Sequence, residues 1–166
     1  GTFRLEFYNQ EEIEKIIARS ANILDVTLEK EAAREIAMRS RFTPRIANQF
    51  LKRCRDYAQV HRKAVDKETV KKALDMLEID EIGLNFSDRK ILSTIIEKFG
   101  GGPVGLGTIA AALSEEEATI EEVHEPYLLQ LGLLERTPRG RAATKKSYDH
   151  LGFSSPAASN PQPKLL

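Results

Sequence analysis

Pro138 and Gly140 stand close together in Arg136-Thr137-Pro138-Arg139-Gly140-Arg141, and they require the chain to turn back on itself. Proline fixes one backbone dihedral and glycine admits a left-handed one, so the flanking residues read as the two arms of a short hairpin. The apolar run Leu131-Gly132-Leu133-Leu134 precedes it, and a segment from Tyr148 to Phe153 ends it in aromatic residues. Arg136, Arg139, Arg141, Lys145 and Lys146 place five cations on this small element. A guanidinium pairs bidentately with phosphate, so such a tip suits a nucleic-acid backbone; a solvated basic loop is the plainer alternative.

Upstream of the hairpin the pattern is helical. Asn9 with Glu12 makes a capping-box start, followed by Ile13, Ile16, Ile17 and Leu24 at near-helical spacing. A second helix runs from about Glu29 to Arg39, with Ala32, Ala33, Ile36 and Ala37 inward. Thr43-Pro44 opens a third, an N-cap before a proline at the first helical position, with the stripe Ile46, Ala47, Phe50, Leu51, Cys54 and Ala58. Asp66 caps a fourth carrying Val70, Ala73, Leu74 and Leu77. Residues 9–80 therefore read as a four-helix subdomain. Residues 1–8 read as the exit from something upstream, so the chain is expected to begin in mid-protein.

Residues 81–86 form a short link, after which Ser87 caps a helix bearing Ile91, Leu92, Ile95, Ile96 and Phe99. Gly100-Gly101-Gly102-Pro103 stops it, and a shorter helix follows from Leu106 to Leu113. Thr119 with Glu122 forms another capping box, starting a helix that presents Ile120, Val123, Tyr127, Leu128 and Leu131. Three helices and then a basic hairpin is the order of a winged helix, here residues 87–153. Residues 154–166, rich in Ser, Ala, Pro and Asn, are expected to be a disordered tail. The expected fold is mainly α, a four-helix subdomain followed by a winged helix with a small β-hairpin wing.

The 25 basic and 25 acidic side chains cancel, so their placement and not their total points to a partner. The last helix of a helix-turn-helix enters the major groove and needs neutral or basic side chains. Here Ser114 to Glu125 holds Glu115, Glu116, Glu117, Glu121, Glu122 and Glu125 and no Lys or Arg. Phosphates repel such a helix. DNA contact is then expected through the wing, at the backbone and without strong sequence reading, and the acidic helix reads as a plain packing helix. A sequence-specific regulator is disfavoured.

A second basic cluster comprises Arg39, Arg41, Arg45, Lys52, Arg53 and Arg55. Arg45 lies in the first turn of its helix, where the macrodipole already attracts anions and a guanidinium adds a phosphate partner. A surface arginine paired with a nearby carboxylate is the alternative. Lys52, Arg53 and Arg55 read as a solvated helix face.

Several chemistries are excluded or unsupported. Gly100 to Gly107 is glycine-rich but lacks the Gly-Lys-Ser/Thr ending of a phosphate loop, and reads as a helix stop and turn. His61, His124 and His150 are far apart and one cysteine builds no zinc site, so no metal site is expected. Cys54 falls on an apolar stripe, excludes an internal disulfide and fits a reducing compartment. No spacing identifies a catalytic triad. No apolar run is long enough for a membrane span, and the start lacks a secretory signal.

Longer motifs add to this reading. Arg39-Ser40-Arg41-Phe42-Thr43-Pro44-Arg45-Ile46-Ala47-Asn48 and Arg55-Asp56-Tyr57-Ala58-Gln59-Val60 resemble the lid domain of the RuvB family, bacterial motors of Holliday-junction branch migration. Asp88-Arg89-Lys90, Gly101-Gly102-Pro103-Val104-Gly105-Leu106, Glu125-Pro126-Tyr127-Leu128 and Arg136-Thr137-Pro138-Arg139-Gly140-Arg141 resemble its C-terminal winged helix. The likeness covers nearly all of the chain to about Gly152.

The resemblance implies an AAA+ protein of recombination and repair, acting in the bacterial cytoplasm as a hexameric ring of like subunits that pumps duplex DNA with ATP. It implies that the large domain with the Walker motifs lies outside this chain. The chain alone should then be inactive and hold ATP or ADP with Mg2+ only weakly, and RuvA should bind through that other domain. By the same likeness Arg45 is the sensor 2 arginine, with Tyr8 and Pro44 beside the nucleotide's base and sugar, and Arg136, Arg139 and Arg141 face DNA. The family usually has glycine where this chain has Phe42. The rival readings are a free-standing winged-helix regulator and a helical adaptor with no nucleic-acid role.

Overall fold

The computed structural model describes residues 8–155, so most of the expected upstream exit and nearly all of the expected tail lie outside the described residues. The chain divides into two compact units, Gly1–Phe86 and Ser87–Leu166.

Among its described residues the first unit holds four helices: α1 (Gln10–Ile23), α2 (Lys30–Arg39), α3 (Pro44–His61) and α4 (Lys67–Met76). Local capping sets two of the starts. The Glu12 N–H donates to Asn9 Oδ1 at 2.8 Å while the Asn9 N–H donates to Glu12 Oε1 at 3.1 Å, and the Thr69 N–H donates to Asp66 Oδ1 at 2.8 Å. Apolar stripes from all four helices meet around Ile13, Ile17, Ile36, Leu51 and Leu74, all fully buried. Each such side chain contributes about 1.5–3 kcal/mol relative to exposure. A parallel bridge between Leu28 and Val65 ties the α1–α2 connection to the α3–α4 connection.

Two expectations change here. Thr43 occupies the N-cap position of α3 but does not cap it: its hydroxyl donates back to the Ser40 carbonyl at 3.3 Å. Arg39 does not belong to a surface cluster. It is buried and bonds to Glu35, to Asp75 and to the Ile79 carbonyl, so it joins α2 to α4. Arg41 likewise turns inward to the Gly83 carbonyl at 3.2 Å.

The second unit opens with α5 (Phe86–Phe99), whose helical geometry begins one residue before Ser87 and leaves that residue inside the first turn. After α6 (Leu106–Leu113) comes a composite helix: α7 (Glu117–Thr119), a π turn over Ile120–His124, and α8 (Glu125–Gln130). Thr119 is a second correction to the caps, since it is itself helical and its side chain caps nothing. Pro126 has no N–H to return to the preceding turn, and the Glu125 N–H instead reaches the Ile120 carbonyl, a π-type bond. The extra residue changes which side chains face inward. Val123 is 59% exposed, while His124 and Glu125 are buried. The core gathers Leu92, Ile95, Ile109, Ile120, Leu128 and Leu133.

The hairpin follows as β1 (Leu134–Thr137) and β2 (Gly140–Ala143), antiparallel, with Leu134 opposite Ala143 and Arg136 opposite Arg141. Lys145 and Lys146 do not lie on it. They begin α9 (Lys145–Leu151), where Thr144 accepts from the Ser147 N–H and Gly152 ends the helix in a left-handed conformation.

Candidate nucleic-acid interface

The β1–β2 register places Arg136 directly across from Arg141. Like charges in opposed positions destabilise a strand pair unless something neutralises them. Glu125 does so, because the π turn and Pro126 bring its carboxylate under the hairpin. Glu125 Oε1 accepts from Arg136 Nη2 at 2.6 Å and from Arg136 Nε at 3.2 Å. Glu125 Oε2 accepts from Arg141 Nε at 2.6 Å, and Arg141 Nη2 reaches Glu125 Oε1 at 3.2 Å and Glu121 Oε2 at 3.4 Å. The Glu125 side chain is 1% exposed, against 17% for Arg141 and 50% for Arg136.

Burial alone pushes the Glu125 carboxyl up, but the Arg141 and Arg136 hydrogen bonds and charges outweigh burial and hold it below the usual carboxylate range. The Glu125 bond in turn raises the Arg141 guanidinium against the opposing effect of burial. The acidic helix therefore does more than pack, a role that its composition alone did not suggest.

Arg139 is different. It sits in the Pro138-Arg139 turn, exposed, its N–H held by Thr137 Oγ1 at 3.2 Å, and its guanidinium meets no partner among the described residues. The Thr137 hydroxyl also donates to the Gly140 carbonyl at 2.8 Å, which closes the turn. Of the remaining cations expected on this element, Lys146 Nζ donates to the Leu131 carbonyl at 2.7 Å and Lys145 pairs with Asp149 at 3.8 Å.

The glycine-rich segment is more than a helix stop. Val104 pairs antiparallel with Arg141, so a single β-bridge fastens the segment to the wing. Gly140, at φ +131°, lies so close that a Cβ would stand 2.5 Å from the Val104 carbonyl. A Cβ on Gly102 would stand 2.4 Å from the Arg141 carbonyl oxygen. The signal in the sequence was a single β-branched residue, Val104, between Pro103 and Gly105.

In the first unit, Arg45 is exposed in the first turn of α3 and has no hydrogen-bond or ion-pair partner among the described residues. With Thr43 turned away, no side chain caps the amides at this end. An open helix N-terminus with a free guanidinium fits a phosphate. Pro44 precedes Arg45, and the Tyr8 N–H donates to the Phe42 carbonyl at 3.0 Å, so Tyr8, Pro44 and Arg45 converge on one loop. Arg41 and Phe42 both have left-handed backbones, φ +58° and +54°. That conformation costs a non-glycine residue about 1–2 kcal/mol. Phe42 thus adopts the conformation that glycine takes freely.

Residues 8–80 match the RuvB AAA lid domain, and residues 81–152 match the RuvB C-terminal winged helix domain. The chain belongs to the RuvB family. It is 55% identical over 159 residues to the Holliday junction branch migration complex subunit RuvB of Chloroflexus aurantiacus, covering 95% of this chain and 45% of that protein. It is similar to the solved Thermotoga maritima RuvB Holliday junction branch migration motor, with TM-score 0.88 and 50% identity, covering 92% of this chain and 51% of that one. A single-substitution variant of the same Thermotoga protein matches with the same values. The chain spans about half the length of the RuvB proteins that it matches.

Within the RuvB winged helix, His124 Nδ1 lies 2.6 Å from Asp88 Oδ1 in the interior, a structural pair. Within the RuvB lid, Cys54 is fully buried, and burial pushes its thiol up to about 12. No group of residues able to hold a metal ion occurs among the described residues, and no described helix is long and apolar enough to cross a membrane.

Proposed function

We propose that this chain is the lid and DNA-gripping part of an ATP-driven motor for Holliday junction branch migration in recombination and repair. The observation that carries the DNA role is Arg139, an exposed guanidinium without a partner at the tip of a braced hairpin. It donates to phosphate oxygens of duplex DNA from either strand, and it reads no bases. Arg136 and Arg141, which Glu125 braces through Nε and Nη2, each keep the Nη1 edge of the guanidinium for further phosphates.

The lid's part is to sense nucleotide. ATP with Mg2+, held chiefly by a large domain outside this chain, supplies the free energy of phosphoanhydride hydrolysis. Arg45 donates to its phosphate oxygens, helped by the open amides of α3, while Tyr8 and Pro44 border base and sugar. The whole protein works as a hexameric ring in the bacterial cytoplasm, with RuvA docked on the large domain. The six carboxylates from Ser114 to Glu125 oppose the rival reading of a regulator whose last helix reads the major groove.

The test is binding to labelled duplexes of unrelated sequence at low and moderate salt, beside Arg139→Ala. Weak binding that ignores sequence and falls with salt and with the substitution is expected. Tight binding to one sequence favours the regulator.

A further inference from the structure

In the lid, α3 runs about 24 Å from Arg45 to His61, so its C-terminal end stands well away from the Arg45 end. That far end is both charged and aromatic. Residues 52–72 hold eight of the chain's 25 basic side chains and three of its 25 acidic ones. All three carboxylates are occupied: Asp56 by Arg55 at 3.2 Å, Asp66 by the Thr69 N–H and Glu68 by Lys72 at 3.6 Å. Arg53, Arg62 and Lys71 are exposed and have no side-chain hydrogen bond or ion pair among the described residues.

Arg53, Tyr57 and His61 follow at intervals of four residues, which puts them in one stripe of α3. Tyr57 packs partly against the lid core, and the exposed His61 ring rests on it, centroids 4.1 Å apart and planes tilted by 34°. Val60, 78% exposed, extends the apolar part of this face. Cations alone would make a solvated helix face. A stacked aromatic pair among them is what bases bind, with phosphates on the flanking guanidinium groups. An acidic protein partner would meet the cations without using the stack. The α3 C-terminus itself repels phosphate, and Arg62 and Lys63, directly beyond it, offset that.

We infer that this face of the lid is a second nucleic-acid site, for a single strand: an unpaired base stacks on His61 and Tyr57, and Arg53 and Arg62 take the flanking phosphates. A duplex keeps its bases inside and meets only the charge here. The site is separate from the wing and does not depend on the wing reading.

The experiment measures binding of a labelled oligothymidylate, of the same backbone without bases and of a duplex. The proteins are the wild-type chain, His61→Ala, His61→Phe, Arg53→Ala and Arg139→Ala. Photocrosslinking of an iodouracil-substituted strand, mapped by mass spectrometry, locates the contact, and crosslinks should fall on Tyr57 or His61. His61→Ala, a change at an exposed residue, should weaken oligothymidylate binding about tenfold and leave the abasic strand and the duplex unaffected. His61→Phe should bind as the wild type does, since a ring remains. Arg53→Ala should lower the single-strand slope of log K against log salt by about 0.7, the contribution of one phosphate.

Crosslinks confined to the wing, no single-strand binding at low salt, or wild-type binding by His61→Ala would each overturn the inference. So would a loss in His61→Phe, or an equal loss on the abasic strand, because the ring would then act without a base. Failure of the wing reading shows elsewhere, as duplex binding that Arg139→Ala leaves unchanged.

Discussion

Val104 and Arg141 exchange two backbone hydrogen bonds, Val104 N to Arg141 O at 2.9 Å and Arg141 N to Val104 O at 2.7 Å. The pairing needs glycine at position 140, since a methyl group there would overlap the Val104 carbonyl and φ is +131°. Gly140→Ala is expected to destabilise the second unit by about 2–4 kcal/mol, from backbone strain together with overpacking. Denaturant unfolding read by probes in each unit should show the second transition moving and the first staying. An unmoved second transition would mean that the wing accommodates the methyl group.

Acid should loosen the wing in a defined window. Burial raises the Glu125 carboxyl, but Arg141 and Arg136 lower it further, so the folded value lies beneath the unfolded one, about 4.3. A carboxyl depressed by folding stabilises fully above the unfolded value and loses that contribution as pH falls through the folded value. Glu125→Gln is expected to cost about 3 kcal/mol at neutral pH, the lower end for breaking a buried ion pair, given the half-exposed Arg136. The difference from wild type should shrink below about pH 4. A difference independent of pH would detach the effect from the carboxylate's charge.

Arg45 offers the opposite case. It is exposed and unpartnered at the positive end of α3. Arg45→Ala should leave the lid as stable as before or more stable by about 0.3 kcal/mol, as a like charge leaves the helix dipole. A loss of about 1 kcal/mol or more in thermal unfolding would reveal a structural partner, since surface changes usually stay within about 0.5 kcal/mol.

Cys54 should be inert in the folded lid. Its thiol, fully buried and pushed up to about 12, supplies almost no thiolate at neutral pH. Modification by a thiol reagent should therefore follow lid opening, slow in buffer and accelerated by denaturant. Rapid labelling in native buffer would contradict the burial.

The parts of this fold that were legible in the sequence are local. The Asn9–Glu12 box and the Asp66 cap are decided within four residues, and the stripe from Ala47 to Ala58 follows from helical spacing alone. Thr119 with Glu122 has the same spacing as the Asn9 box but lies inside a helix that starts at Glu117. Composition did not distinguish Arg39 from Arg45, because a buried Glu35 and Asp75 on a different helix decide the burial of Arg39. At the wing, turn chemistry marked the hairpin correctly. Which arginines are braced depended on Glu125, a residue from another element brought there by tertiary packing.

The π turn makes the wing's anchor a matter of counting. In an α-helix each residue advances about 100° around the axis. Removing any one residue from Ile120–His124 would swing the upstream helix by roughly that angle relative to Glu125 and its arginines. Substituting Val123, whose side chain is exposed, leaves that phase untouched. This stretch can therefore change its letters more easily than its length.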